Sequence, residues 1–282
     1  MRQQHPFVRE SGDGEAILCL HASTSSSRQW IPLIEQLAAN FRVLAPDLCG
    51  QGRNTGLAAG ADALEEDVGL IESVAGEMPV HVVGHSYGGA VALRYALRHP
   101  RRLRSLTLYE PAAWHLLAAS LERSRTGHEV FEVGLRVMHL VDAGSELEAA
   151  RHFVDYWAGD GGWDQMSAFQ KDRVAEQMTR VVAHFAALFA DPTPLAAYTA
   201  LRMPVLLMSG GAGPRSGQRV TELLAGAIPR AAVQRFEALG HMGPITSADE
   251  VNGLIARFIR IASCVGSMKA ETKKGLRIVE RA

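Results

Sequence analysis

The 282 residues are 47% apolar and 21% charged, with a formal net charge of −1. These are ordinary values for a globular chain that buries a full core, and they give no field to gather nucleic acid or an anionic surface. Cys19, Cys49 and Cys264 lie far apart, without CxxC or Cys/His spacing, so neither a zinc site nor a disulfide framework is expected. No segment has the apolar run of a signal peptide or a membrane span, and the chain reads as cytoplasmic.

Short apolar runs bounded by turn residues alternate with longer helical patterns. Residues 16–20 (AILCL), 41–45, 80–83, 103–109, 205–208 and 232–236 read as strands. Several are almost continuously apolar, as in a parallel sheet covered on both faces. Helical periodicity falls at 30–39, 63–75, 89–99, 215–227 and 249–261. The alternation predicts a doubly wound α/β domain from 1–110 and 195–262. Residues 111–194 break it: they show helical patterning only, with Gly-rich joints and three of the four tryptophans, Trp114, Trp157 and Trp163. This block is expected to be a helical insert, most of its aromatics forming its own core and a few, Trp114 above all, facing a pocket. Residues 263–282 are mixed polar and are expected to form a loosely docked tail.

The sharpest local signal is Gly84-His85-Ser86-Tyr87-Gly88. It follows the strand 80–83 and opens a helix, a turn so tight that the residues two places either side of Ser86, Gly84 and Gly88, must be small, with Gly89 a further small residue. The serine hydroxyl then stands clear of the sheet with a helix amino terminus behind it, where developing negative charge is favoured. A serine nucleophile needs a base. His241, in the turn-rich LGHMGP after the last strand, is the candidate; His85 is expected to bond locally, and His21 to orient its own loop. The loop after strand 205–208, SGGAGPRS, holds no carboxylate, whereas the end of strand 103–109 supplies Glu110 just before Pro111. Glu110 is therefore the expected acid that fixes the histidine tautomer; Asp191 and Asp249 are weaker substitutes, and Asp47 is expected to brace its own loop. Backbone N–H groups of Ser23, after the first core strand, and of Tyr87, after the nucleophile, are the expected oxyanion donors. Ser25 to Ser27 are expected to cap the helix that follows. His21, Trp114, Trp157 and Met242 are the candidate pocket residues.

Taken together, HASTSSSRQW, LAPDLCGQGRN, VVGHSYGGAVALRYA and GHMGPIT resemble the α/β-hydrolase superfamily, over roughly residues 15–261. The resemblance implies a mostly parallel eight-stranded sheet, a helical cap after the sixth strand and no cofactor. Ala22 stands where the family usually has glycine, and the acid is moved to Glu110 as in some members. The activity implied is hydrolysis of a carboxylic ester of a small to medium, partly apolar molecule through an acyl-enzyme. Lactone, thioester or carbon–carbon bond hydrolysis would use the same parts. A ligand-binding receptor with slight turnover is the alternative from another class.

Overall fold

A computed structural model describes residues 6–54, 62–118, 125–159 and 161–276. Its frame is one sheet of seven strands in the order β1-β3-β2-β4-β5-β6-β7: β1 Val8–Ser11, β2 Glu15–Leu20, β3 Phe41–Pro46, β4 Val80–His85, β5 Leu103–Tyr109, β6 Val205–Gly210 and β7 Ala231–Phe236. Only β1 runs antiparallel, pairing Val8 to Ser11 with Pro46 to Val43. Eight strands were implied and seven are found among the described residues, because a single antiparallel strand precedes β2. That strand, VRES, is half-exposed and carries one large apolar residue, so no apolar run announces it.

The period-2 pattern of the inner strands sorts their side chains onto two faces. Ile17, Cys19, Val43, Val83, Leu206 and Met208 point to one side. There they meet α1 (Ile31–Leu37) and the front of α11 (Ala248–Leu276). Leu18, Leu20, Val82, Leu106, Leu108 and Leu207 point to the other. That side carries α2 (Ala63–Ala75), α3 (Tyr87–Arg98) and α9 (Arg215–Ala227). The all-apolar strand runs follow from this double coverage. α11 is longer than its predicted 249–261: its helical backbone continues to Leu276, through most of the stretch expected to be a loose tail, while 277–282 lie outside the described residues.

Between β5 and β6 the described residues form five α-helices, α4 His115–Ala118, α5 Arg125–Asp142, α6 Glu146–Ala158, α7 Ala168–Ala175 and α8 Met178–Ala190. Their aromatics do pack together: Phe131 stacks on Phe189 at 4.0 Å between centroids, and Phe153 meets Phe185 edge-on at 6.2 Å. A short α10 (Gly243–Thr246) precedes α11.

Candidate active site

The turn between β4 and α3 is as tight as the small residues around Ser86 require. Ser86 has φ +53° and ψ −118°, a left-handed backbone that a non-glycine residue adopts only when its surroundings hold it there. A Cβ on Gly84 would lie 2.6 Å from the carbonyl oxygen of Gly88, and one on Gly88 would lie 2.5 Å from that of Leu20. Ser86 is pinned on both sides: its N–H donates to Tyr109 O at 3.1 Å, and its carbonyl accepts from Ala112 N–H at 2.9 Å.

His241 and Glu110 converge on this serine. His241 Nε2 lies 2.9 Å from Ser86 Oγ, and its Nδ1 lies 2.6 Å from Glu110 Oε2. A carboxylate only accepts, so Nδ1 carries the proton and Nε2 is left to accept from the serine hydroxyl. Glu110 is fully buried, with its other oxygen accepting from the Gly210 N–H at 2.9 Å. The loop that lacks the expected carboxylate thus contributes a backbone donor to the acid standing in its place. Glu110 itself sits at φ +40°, a second strained backbone one residue past β5. Room for it comes from α9: a Cβ on Gly217 would lie 2.5 Å from Glu110 Oε2.

The other acids are committed elsewhere. Asp191 pairs with Arg94 at 2.6 Å, Asp249 is exposed at the start of α11, and Asp47 accepts from the Ser27 and Arg53 N–H groups. His85 was expected to pack or bond locally; its ring nitrogens instead reach residues 56 and 156 positions away and link three loops. Its Nε2–H donates to His241 O at 2.9 Å, and its Nδ1 accepts from Gln29 Nε2 at 3.0 Å. Gln29 Oε1 in turn accepts the N–H of Ala22. Burial pushes the His85 imidazolium well below the usual histidine range, so the ring is neutral and can play both parts.

Tyr87 is the first residue of α3, one of the positions whose N–H has no partner within its own helix. Ala22 N–H is spent on Gln29, which leaves the N–H of Ser23 as the next donor along that loop. The Ser26 side chain caps the short 3-10 helix Ser27–Trp30.

A further network was not legible in the sequence. Ser23 Oγ lies 2.8 Å from His184 Nδ1, and His184 Nε2 accepts from Arg180 Nε at 3.0 Å. Arginine only donates, so the proton of His184 sits on Nδ1 and points to the serine oxygen. Arg180 also donates to Asp67 Oδ2 at 2.9 Å, which accepts from the Tyr87 hydroxyl at 2.7 Å, and His184 stacks on the Tyr87 ring at 3.5 Å. Asp67 and Arg180 stand 113 residues apart, and no local pattern marks them as partners.

Ser86 and His241 open onto a cavity of about 600 Å³, bordered also by Trp157, Met242, Ile245 and Phe169. Trp157 packs its ring 4.3 Å from His241 and stacks on Trp114 at 5.4 Å. Of the four candidate pocket residues, Trp157 and Met242 border this space, and Trp114 borders a smaller chamber beyond Ser86. His21 borders neither: it is fully buried, with Nδ1 donating to Ala22 O and Nε2 accepting from Leu48 N–H. Both its nitrogens hold the loops after β2 and β3 together, which takes it out of the pocket.

A family model described as alpha/beta hydrolase fold matches residues 15–248. The chain belongs to the α/β-hydrolase family. Among its relatives is a protein of Azorhizobium caulinodans named, provisionally, as a carbamate hydrolase, 26% identical over 88% of this chain and 92% of that one. Another is the dihydrolipoyllysine-residue acetyltransferase component of the acetoin cleaving system of Cupriavidus necator, 32% identical over 38% of this chain. Only 29% of that longer protein is spanned. A thermophilic esterase of Thermogutta terrifontis shares the fold with a TM-score of 0.71 and 21% identity, covering 91% of this α/β-hydrolase chain and 93% of its own. Among the described residues, no helix is long and apolar enough to cross a membrane.

Proposed function

We propose that this α/β-hydrolase cleaves carboxylic esters of small to medium, partly apolar molecules through an acyl-enzyme on Ser86. The observation that carries the reading is the buried chain Ser86 Oγ, His241, Glu110, with links of 2.9 and 2.6 Å, at the edge of a largely apolar cavity. In this mechanism His241 Nε2 takes the proton of Ser86 as the oxygen attacks the ester carbonyl. The carbonyl oxygen becomes an oxyanion held by the Ser23 and Tyr87 N–H groups, each contributing on the order of 3 kcal/mol. The imidazolium then gives its proton to the departing alcohol oxygen, and Glu110 keeps the ring in the tautomer that allows both transfers. Water, deprotonated by the same histidine, releases the acid. Helices α4–α8, residues 111–194 in the sequence division, act as the cap over this site. The relative named as a carbamate hydrolase supports acyl-transfer chemistry in general terms.

The test is steady release of 4-nitrophenol from 4-nitrophenyl acetate by the purified chain, with fluorophosphonate labelling located at Ser86. Ser86→Ala should abolish both. Turnover that persists in Ser86→Ala, or a wild-type chain that neither labels nor turns over, removes the reading.

A further inference from the structure

Two spaces meet at Ser86, and their sizes differ greatly. The outer one, about 600 Å³, is bordered by His241, Met242 and Ile245. The inner one, about 20 Å³, lies between Tyr87, Trp114 and the α8 residues Val181, Phe185 and Leu188. Ser23, Ser86, Phe153 and Trp157 border both, so a molecule attached to Ser86 can reach into either.

We infer, resting on the ester-hydrolase reading above, that the site takes esters of a short, acetyl-sized acyl group and a larger apolar alcohol. The direction follows from the proton. The histidine that protonates the leaving oxygen must face it, and His241 borders the outer space alone. The alcohol therefore departs through the outer cavity. The acyl substituent, on the other side of the same carbonyl carbon, is left with the inner chamber.

Size then sets the acyl group. A cavity of about 20 Å³ holds roughly one water, the space of a methyl group. Its walls are not free to retreat. Trp114 is 1% exposed and stacked on Trp157, while Phe185 and Leu188 are each 3% exposed within the packed insert. A charged acyl substituent is disfavoured as well. In the chamber wall, His184 has its nitrogens engaged by Ser23 and Arg180 and Tyr87 has its hydroxyl engaged by Asp67, and burial keeps the imidazole neutral by pushing its imidazolium well below the usual range. The alcohol meets the opposite situation, a wide and mostly apolar space with Trp157, Met242 and Ile245 along its wall.

The experiment is a pair of ester series on the full chain. With 4-nitrophenol as the common leaving group, kcat/KM should fall at least about 100-fold from acetate to hexanoate, since one misfitted methylene alone is worth about 10- to 200-fold. With acetyl as the common acyl group, 2-naphthyl acetate should be cleaved at least as well as phenyl acetate. Leu188→Ala should widen the inner chamber and narrow the acetate-to-hexanoate ratio at least tenfold; Val181→Ala, in the same wall, serves if the first variant does not fold. Hexanoate cleaved as fast as acetate overturns the proposal, as does an unchanged ratio in the folded wall variant. So does a chain that labels at Ser86 but turns over none of the esters. A flat or inverted acyl preference with Ser86 labelled strikes the partition only. Ester turnover that survives Ser86→Ala strikes the serine-hydrolase reading beneath it.

Discussion

Gly217 makes no contact with Ser86 or with the cavity, yet its replacement by alanine should cripple the site. The new Cβ would lie 2.5 Å from Glu110 Oε2, 2.8 Å from its carboxyl carbon and 3.2 Å from its Cβ. Ordinary contact begins near 3.4 Å, so the carboxylate must give by about 0.9 Å. It is not free to swing, because one oxygen is held by Gly210 N–H at 2.9 Å and the other by His241 at 2.6 Å. A retreat of that size takes the Glu110–His241 bond to the edge of hydrogen-bonding distance and lets the imidazole turn or change tautomer. Complete loss of the orienting acid costs about 10⁴ in kcat in the serine-protease template, so a displaced but present acid should cost about 10²- to 10³-fold, or about 3–4 kcal/mol. The fold should tolerate the change, since alanine gains up to about 1 kcal/mol of helix propensity over glycine. The assay is kcat on 4-nitrophenyl acetate for Gly217→Ala, Glu110→Gln and the double variant, with thermal melts alongside. Coupling through one carboxylate predicts strong non-additivity: Glu110→Gln should cost little once Gly217→Ala is present. A Gly217→Ala enzyme within threefold of wild type, or two fully additive losses, would refute the reasoning.

Three further outcomes follow from the buried network and the histidines. Ser23→Ala keeps its backbone N–H, so kcat should fall by less than about tenfold, while the stranded His184 Nδ1–H costs about 1–3 kcal/mol in urea unfolding; a larger kcat loss would make the hydroxyl itself the oxyanion donor. Arg180→Leu leaves Asp67 buried without its cation and should destabilise by about 3–5 kcal/mol, with Asp67→Asn recovering part of it in the double variant. Burial lowers the pKa of His21, His85 and His184 in the folded state below the 6.5 of the free side chain. The unfolded chain therefore binds more protons below about pH 6.5, and stability falls as pH falls, by up to about 1.4 kcal/mol per pH unit for each histidine. Asp67, raised by burial, opposes this at lower pH. Chemical denaturation from pH 7.5 to 5 reads the slope, and a flat profile would contradict three neutral buried rings.

The inner strands were legible because each must be apolar on both faces, and helices 63–75 and 215–227 because their stripes are clean. β1 escaped notice because an edge strand covered on one side needs no apolar run. At the site, the positions of Ser86, Glu110 and His241 along the chain were readable, since Ser86 and Glu110 lie one residue past a strand and His241 lies in the turn-rich loop after the last strand. Gly217 was not: nothing in RSGQRV says that its missing Cβ is occupied by a carboxylate from 107 positions earlier. The same holds for Arg180, Asp67 and His184, whose helical surroundings read as insert core or solvated face until the fold brings α8 against α2. His21 misled for a related reason. A histidine closing the first core strand borders the site in sequence, but its two nitrogens serve neighbouring backbone.

On the proposed reading, an acid at the end of β5 changes what holds the site rigid. β4 and β5 are hydrogen-bonded neighbours with His85 opposite Tyr109, so Ser86 and Glu110 each lie one residue past a paired position. Both adopt left-handed backbone, and Ser86 N–H donates to Tyr109 O across the gap. Two of the three groups thus belong to one pair of adjoining strands, and their separation is set by strand spacing rather than by a loop. Only His241 arrives on a loop. That loop is fastened from the same two strands, by His85 Nε2–H to His241 O at 2.9 Å and by the Tyr109 hydroxyl to Gly240 O at 2.8 Å. The loop after β6 carries no carboxylate, and the last residue of β6 supports Glu110 through the Gly210 N–H. Strain at two backbone positions is tolerable in such an arrangement because the sheet over-determines both. Variation in the loop after β6 should accordingly disturb catalysis where it moves Gly210 or the α9 turn that carries Gly217, and at Gly213, where a Cβ would lie 2.7 Å from His241 N.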